Sequence, residues 1–499
     1  MKSLIQKSKN SFTYLNISDV NKNVIATQYA VRGAVPAKSQ EIAEELQLIK
    51  AGKLDKSYPF DEIIQCNIGN PQIFDQPPIS FNRQVLAGVL DGSLVKQGVF
   101  KNKDVVNRIE FYREHIAGNV GAYSASPGFK FGQQSVSDFI KRRDGAKQGP
   151  DTKHITLLGG ASEGVNLVLS ALISHGKDGV MIPIPQYPLY SALIQYYGGS
   201  QVNYYLNEQD NWSTSINSLK NAQISAGDVG VKPKILVVIN PGNPTGAVLT
   251  RENIEDMIKF AYDNKIIIIA DEVYQENVYT DKSKFYSFRK IVTEMPEPYN
   301  KTELVSLHST SKGIIGECGL RGGYMELHNL NPEVEAQIDK IKTVGLCSNT
   351  IGQLTTDLMC NHPRVNAEYS DETVEQYNNE VKELFGGLKE RAQLINKYLN
   401  KMDNVQAQEQ QGAMYAFPRI ELSKKAQEAA QKQGMAPDLF YCMEVLLNTG
   451  IVLVPGSGFG QEPGTFHFRT TNLVRPAEKL QQSMQLFTKF NNEFHKKYA

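Results

Sequence analysis

Apolar runs that stop abruptly at polar residues recur through the middle of this chain. Ile235-Leu236-Val237-Val238-Ile239 stops at Asn240, Ile266-Ile267-Ile268-Ile269-Ala270 at Asp271, and Leu304-Val305-Ser306-Leu307 at His308. These runs are short and mostly rich in β-branched residues, so they read as buried strands. Between the first two, Ile254, Met257, Ile258 and Ala261 recur at helical spacing behind Thr250. That pattern predicts a helix capped by Thr250. Strand, helix, strand is the unit that builds a mostly parallel sheet, and similar alternation runs from about residue 115 to 345.

The flanks differ. Ile42, Leu46 and Ile49 predict a short helix after Pro36, and residues 66–80 are rich in turns. Residues 370–400 are charged and helical in pattern, and they lead to strand candidates at Gly412–Phe417 and Ile451–Val454. The expected organisation is an arm and helix at 1–55, the N-terminal part of a smaller domain at 56–114, a large domain at 115–350, and the C-terminal part of the smaller domain at 351–499.

Composition narrows the function. With 499 residues, 41% of them hydrophobic, the chain can bury large cores. Lys+Arg and Asp+Glu both number 53, and without a long block of like charge neither nucleic acid nor an anionic membrane is expected as a partner. The five cysteines are scattered and odd in number, as in proteins of a reducing compartment. A cytoplasmic location is expected, with the mitochondrial matrix also open. No apolar stretch approaches the ~18 residues of a membrane span, and the eight histidines show no metal spacing.

The polar groups after the strands carry the chemistry. Lys312, in His308-Ser309-Thr310-Ser311-Lys312-Gly313, suits a Schiff base, and Asp271 suits a protonated pyridine nitrogen. Asn243, in a proline-stiffened turn, and Tyr274 suit a phenolate oxygen. Gly159-Gly160-Ala161-Ser162 joins a strand to a helix and offers backbone N–H groups to a phosphate, with Ser309 and Arg321 available beside it. Tyr187 stands on a proline-bounded loop where its ring can stack on a cofactor face. Arg469, in the strand candidate Phe466–Arg469, can pair with a carboxylate in bidentate fashion. Each has a plain alternative: surface lysine, capping aspartate, turn asparagine, connector glycines, core tyrosine, surface arginine. The set as a whole indicates pyridoxal phosphate (PLP). Ser309 to Lys312 also spells Ser-x-x-Lys, but the Lys-Thr-Gly and Ser-Asp-Asn that accompany it in penicillin-binding proteins are absent.

A resemblance then adds to this reading. It is carried by Asn67-Ile68-Gly69, Gly121-Ala122-Tyr123-Ser124, Ile182 to Ala192, Asn240 to Gly246, Ala270 to Tyr274 and His308 to Gly313. Glu317-Cys318-Gly319, Arg321 to Tyr324 and Val454 to Gln461 extend it. Over residues 60–495 the chain resembles the fold type I PLP-dependent aminotransferases, in particular their alanine branch. The resemblance implies an α/β fold, with a seven-stranded, mostly parallel sheet in a large PLP-binding domain and a smaller α/β domain from the N- and C-terminal segments. It implies Lys312, Asp271 and Tyr274 as catalytic, and Gly160, Ala161, Ser162, Tyr187, Asn243, Ser309 and Arg321 as further cofactor contacts. Arg469, Gly69 and Asn243 would meet substrate. Tyr123 would reach the cofactor of a neighbouring subunit, which implies a homodimer with shared sites. The implied reaction moves an amino group between L-alanine and 2-oxoglutarate by a ping-pong course. A glyoxylate-preferring aminotransferase, or another fold type I enzyme, is the alternative.

Overall fold

The computed structural model describes residues 15–29 and 33–499. The apolar runs form one seven-stranded sheet: β1 (Ile155–Leu157), β2 (Asp178–Ile184), β3 (Ser200–Tyr205), β4 (Lys232–Ile239), β5 (Ile267–Asp271), β6 (Leu304–Ser309) and β7 (Gly323–His328). Their spatial order is β1-β7-β6-β5-β4-β2-β3. Strands β2 to β6 run parallel, and β7 runs antiparallel to its neighbours β6 and β1.

Every residue of β5 and β6 is buried. Helices cover both faces, so neither face of these strands needs polar residues. Alternate residues serve opposite faces. Ile268 and Ala270 join Leu236 and Val238 in a core with helices Ile216–Asp228, Arg251–Asn264 and Phe288–Glu294. Ile267 and Ile269 join Val237, Val305 and Leu307 in a core with helices Ala161–Leu172 and Leu189–Tyr197. The predicted cap is present: the Thr250 hydroxyl accepts from the Asn253 N–H at 3.2 Å, and Ile254, Met257, Ile258 and Ala261 are buried.

Helices Ser80–Leu90 and Lys103–His115 share a core with Lys130–Asp144, Thr350–Cys360 and β1. Another core gathers Ala34–Lys50, Pro437–Thr449 and Ala477–Lys497. The 29-residue helix Asp371–Leu399 serves both. At 1.5 Å per residue it is about 44 Å long. Tyr377, Val381 and Leu384 lie in the first core, and Ile395 and Leu399 in the second.

The tail strands are shorter than their sequence suggests. Of 412–417 only Tyr415–Ala416 is strand; of 451–454 only Val454, continuing to Pro455. Both flank Phe468–Thr471 in a small antiparallel sheet. Gly412 and Ala413 donate instead to the carbonyls of Gly246 and Asn277, and Ala413 has φ of 56°, outside strand geometry. The tail backbone is thereby tied to the loops that follow β4 and β5.

Of the expected N-terminal arm, residues 1–14 and 30–32 lie outside the described residues. Among those described, no helix is long and apolar enough to cross a membrane.

Candidate active site

Strand register brings the polar stops together. Ile239 pairs with Asp271, and Asp271 with Leu307, so the carboxyl ends of β4, β5 and β6 lie side by side. The residues that follow open into one cavity of about 310 Å³. Gly69, Ala161, Ser162, Tyr187, Asn243, Asp271, Tyr274, Ser309, Lys312, Arg321 and Arg469 all line it. Gly160 is the N-cap of the helix that begins at Ala161. Tyr123 lies elsewhere, 80% exposed.

Asp271 and Lys312 form one pole of the cavity. The Tyr190 hydroxyl donates to Asp271 Oδ2 at 2.8 Å, while the buried Oδ1 has no partner. Burial pushes the Asp271 carboxyl up to about 6, against the opposing pull of Tyr190, the Val273 N–H and Lys312. An unpaired buried carboxylate oxygen is costly, and a cationic N–H in the cavity would relieve it. Lys312 Nζ donates to the Gly69 carbonyl in a close contact.

An anion cup forms the second pole. Helix Ala161–Leu172 points its N-terminus at the cavity, where unpaired N–H groups and the helix dipole favour negative charge. Gly160 has φ of 92°, and a Cβ there would lie 2.4 Å from an Arg321 nitrogen. Only glycine allows this approach. Arg321 Nη2 donates to the Gly159 carbonyl at 2.6 Å and reaches Ser162 Oγ at 3.3 Å. Ser309 Oγ donates to Ser311 Oγ at 2.9 Å. Arg321 itself takes φ of 55°, an uncommon conformation for a side-chain-bearing residue.

Arg469 is the third pole. It is 2% exposed. Nη1 donates to Asn243 Oδ1 at 3.1 Å and Nη2 to the Asn67 carbonyl at 2.6 Å. Nε is buried without a partner. These protein partners are neutral, so the guanidinium keeps its charge uncompensated, which is the condition for gripping an incoming carboxylate.

A family model described as aminotransferase class I and II matches residues 90–480. The chain belongs to that family. It is 45% identical over 491 residues to a protein named probable alanine aminotransferase, mitochondrial, of Dictyostelium discoideum, covering 97% of this chain and 90% of that one. It is 41% identical to alanine aminotransferase 1 of Bos taurus, covering 97% and 96%. Glutamate–glyoxylate aminotransferase 1 of Arabidopsis thaliana is also 41% identical, covering 97% of each chain. Among solved structures, an alanine aminotransferase from Pyrococcus furiosus superposes with a TM-score of 0.72 at 25% identity, covering 95% of this chain and all of that one.

The family uses PLP, and the chain is a PLP-dependent transaminase. The first two poles suit that cofactor: one offers an amine for its aldehyde and an unpaired carboxylate oxygen for its ring N–H, and the other an anion cup for its phosphate. Several residues at the site were not anticipated from the sequence. Tyr190, which holds Asp271 without lining the cavity, is the second residue of helix Leu189–Tyr197, with Tyr187 on the loop before it. Ser311 lies inside the Lys312 motif. Tyr415 lines the cavity from a strand whose sequence reads as plain core.

Proposed function

We propose that this enzyme moves an amino group between L-alanine and 2-oxoglutarate, giving pyruvate and L-glutamate, with both half-reactions in one cavity. The supporting observation is that a lysine, a partly unpaired buried carboxylate and an arginine with only neutral protein partners face the same 310 Å³ space. Bound PLP supplies an aldehyde for the amino group and a ring that accepts electrons when its nitrogen stays protonated. Asp271 Oδ1 would accept from that nitrogen, with Tyr190 holding the carboxylate in place. Asn243 and Tyr274 would meet the ring oxygen, Tyr187 would stack on the ring, and Gly160, Ala161, Ser162, Ser309 and Arg321 would hold the phosphate. Arg469 binds the α-carboxylate of each substrate, beside Gly69. Lys312 Nζ takes the α-proton and holds it for return.

Purified enzyme supplied with L-alanine should form pyruvate at matching rates of glutamate formation when 2-oxoglutarate is the acceptor. No pyruvate with any 2-oxo acid would refute the proposal. The second reading is a preference for glyoxylate, favoured by the name of the Arabidopsis relative. Comparing kcat/KM for the two acceptors decides between them.

The same proposal includes a homodimer in which Tyr123 reaches the partner's phosphate. Tyr123 is 80% exposed, and Val344 and Leu346 are also exposed, at 83% and 52%. A monomer in sedimentation would exclude it. The proposed domain division departs from the expected one, which put all of 56–114 and 351–499 in the smaller domain, and is drawn by shared cores. Residues 79–116 pack with the large domain, and 33–66 join 395–499 in the smaller one. A cytoplasmic location is proposed, and cell fractionation separates it from a mitochondrial one.

A further inference from the structure

Arg469 and Tyr415 stand on neighbouring antiparallel strands. Thr471 pairs with Tyr415, so Arg469, two residues back on the same face, is the diagonal neighbour of Tyr415. The Arg469 guanidinium carbon lies 4.0 Å from the centre of the Tyr415 ring and 4.7 Å from that of Phe459. Both distances fall within the range in which a cation is attracted to an aromatic face. Tyr415 is 3% exposed and Phe459 fully buried, so water does not weaken the attraction.

A guanidinium can grip a carboxylate by two parallel hydrogen bonds only if its plane is set beforehand. Asn243 and Asn67 hold two of its nitrogens. They constrain its edge and leave its tilt free. The rings supply a surface for its face. Tyr415 is itself held. Its hydroxyl seats on Gly69, where an added Cβ would lie 1.7 Å from the hydroxyl oxygen and 3.1 Å from Lys312 Nζ. Its ring also meets Tyr274 edge-on at 6.1 Å. Burial works to raise the Tyr415 phenol, but the charges of Lys312 and Arg469, with Tyr274, bring it below its ordinary value.

We propose that Tyr415 is a positioning residue for the substrate carboxylate, its ring setting the plane in which Arg469 meets it. This rests on the transaminase reading, with Arg469 as the carboxylate site.

The test uses the PLP-loaded enzyme and propionate, a carboxylate without an amino group to react. Its dissociation constant is measured by calorimetry in the parent, Tyr415→Phe and Tyr415→Leu. The Leu variant should bind propionate roughly 3- to 30-fold more weakly, the range expected from losing one cation–aromatic contact. It should raise KM for alanine and for the 2-oxo acid together, as loss of a shared carboxylate contact requires. Phe should restore affinity to within about twofold of the parent, because it keeps the ring. Parent-like propionate binding in the Leu variant, or a Phe variant as weak as Leu, would overturn the proposal. Pentafluorophenylalanine at position 415 keeps the shape and inverts the ring's charge distribution, so it reads the same interaction if Leu disturbs folding. It too should weaken binding, and parent-like affinity would overturn the idea. These constants report on the ring whatever the turnover, whereas a parent enzyme unable to turn over alanine would count against the transaminase reading instead.

Discussion

Asp271 is a group whose removal should harm catalysis and help the cofactor-free fold. Its carboxyl ordinarily titrates at 3.8 and is pushed up to about 6, burial being the largest cause. That difference corresponds to about 3 kcal/mol. Below about pH 3 both folded and unfolded chains hold the proton, and the site costs nothing extra. As pH rises toward 6, the unfolded chain releases its proton while the folded one retains it, so stability falls. Above 6 the full cost is present. Asp271→Asn is neutral throughout and escapes this cost. Between about pH 3 and pH 7 its stability relative to the parent should therefore rise by about 3 kcal/mol. Differences in how Asn and Asp meet the Tyr190 hydroxyl add a constant offset and leave the pH trend intact. Urea unfolding of cofactor-free proteins, followed by the fluorescence of the single tryptophan, Trp212, measures the trend. A gap independent of pH, or one that narrows as pH rises, would refute the reasoning. The same variant should transaminate poorly, because a neutral amide does not keep a pyridine nitrogen protonated. Stability and activity would then move in opposite directions, as expected where a site holds strained electrostatics for function.

Three further outcomes follow from the geometry. Lys312→Ala should lower kcat by at least about 10³-fold, as removal of the group that moves the α-proton requires, while the far-ultraviolet circular dichroism stays that of the parent; near-normal turnover would remove Lys312 from its role. Arg469→Lys should raise KM for both substrates by roughly 10- to 100-fold, since one point charge replaces a bidentate grip; an effect on only one substrate would contradict a shared carboxylate site. Gly160→Ala should weaken PLP binding, because φ of 92° and an Arg321 nitrogen 2.4 Å from the new carbon both resist a side chain, at a cost of about 1–3 kcal/mol; equilibrium dialysis showing parent-like affinity would exclude the cup.

Much of this site was legible before any coordinates. β5 and β6 announce themselves because a strand buried on both faces must be apolar at every position, and a polar residue that ends such a run stands at the sheet's edge, where ligands bind. Asp271, Lys312 and Asn243 were found this way. The helix Arg251–Asn264 was equally plain from its period and its Thr250 cap. The tail was less so. Gly412 and Ala413 look like strand in sequence but spend their N–H groups on the loops of the large domain.

Strand type, the capped helix and the kind of chemistry each polar stop can perform were determined by the sequence alone, because they depend on local periodicity and on the intrinsic reactivity of side chains. Only the tertiary structure decided which groups meet. Tyr415 faces Arg469 through the register of two short strands, Gly69 lies against Lys312 across 243 residues of chain, and Tyr190 holds Asp271. Such contacts join segments far apart in sequence, and burial, which moves the Asp271 carboxyl, is a property of everything packed around it and of no single segment.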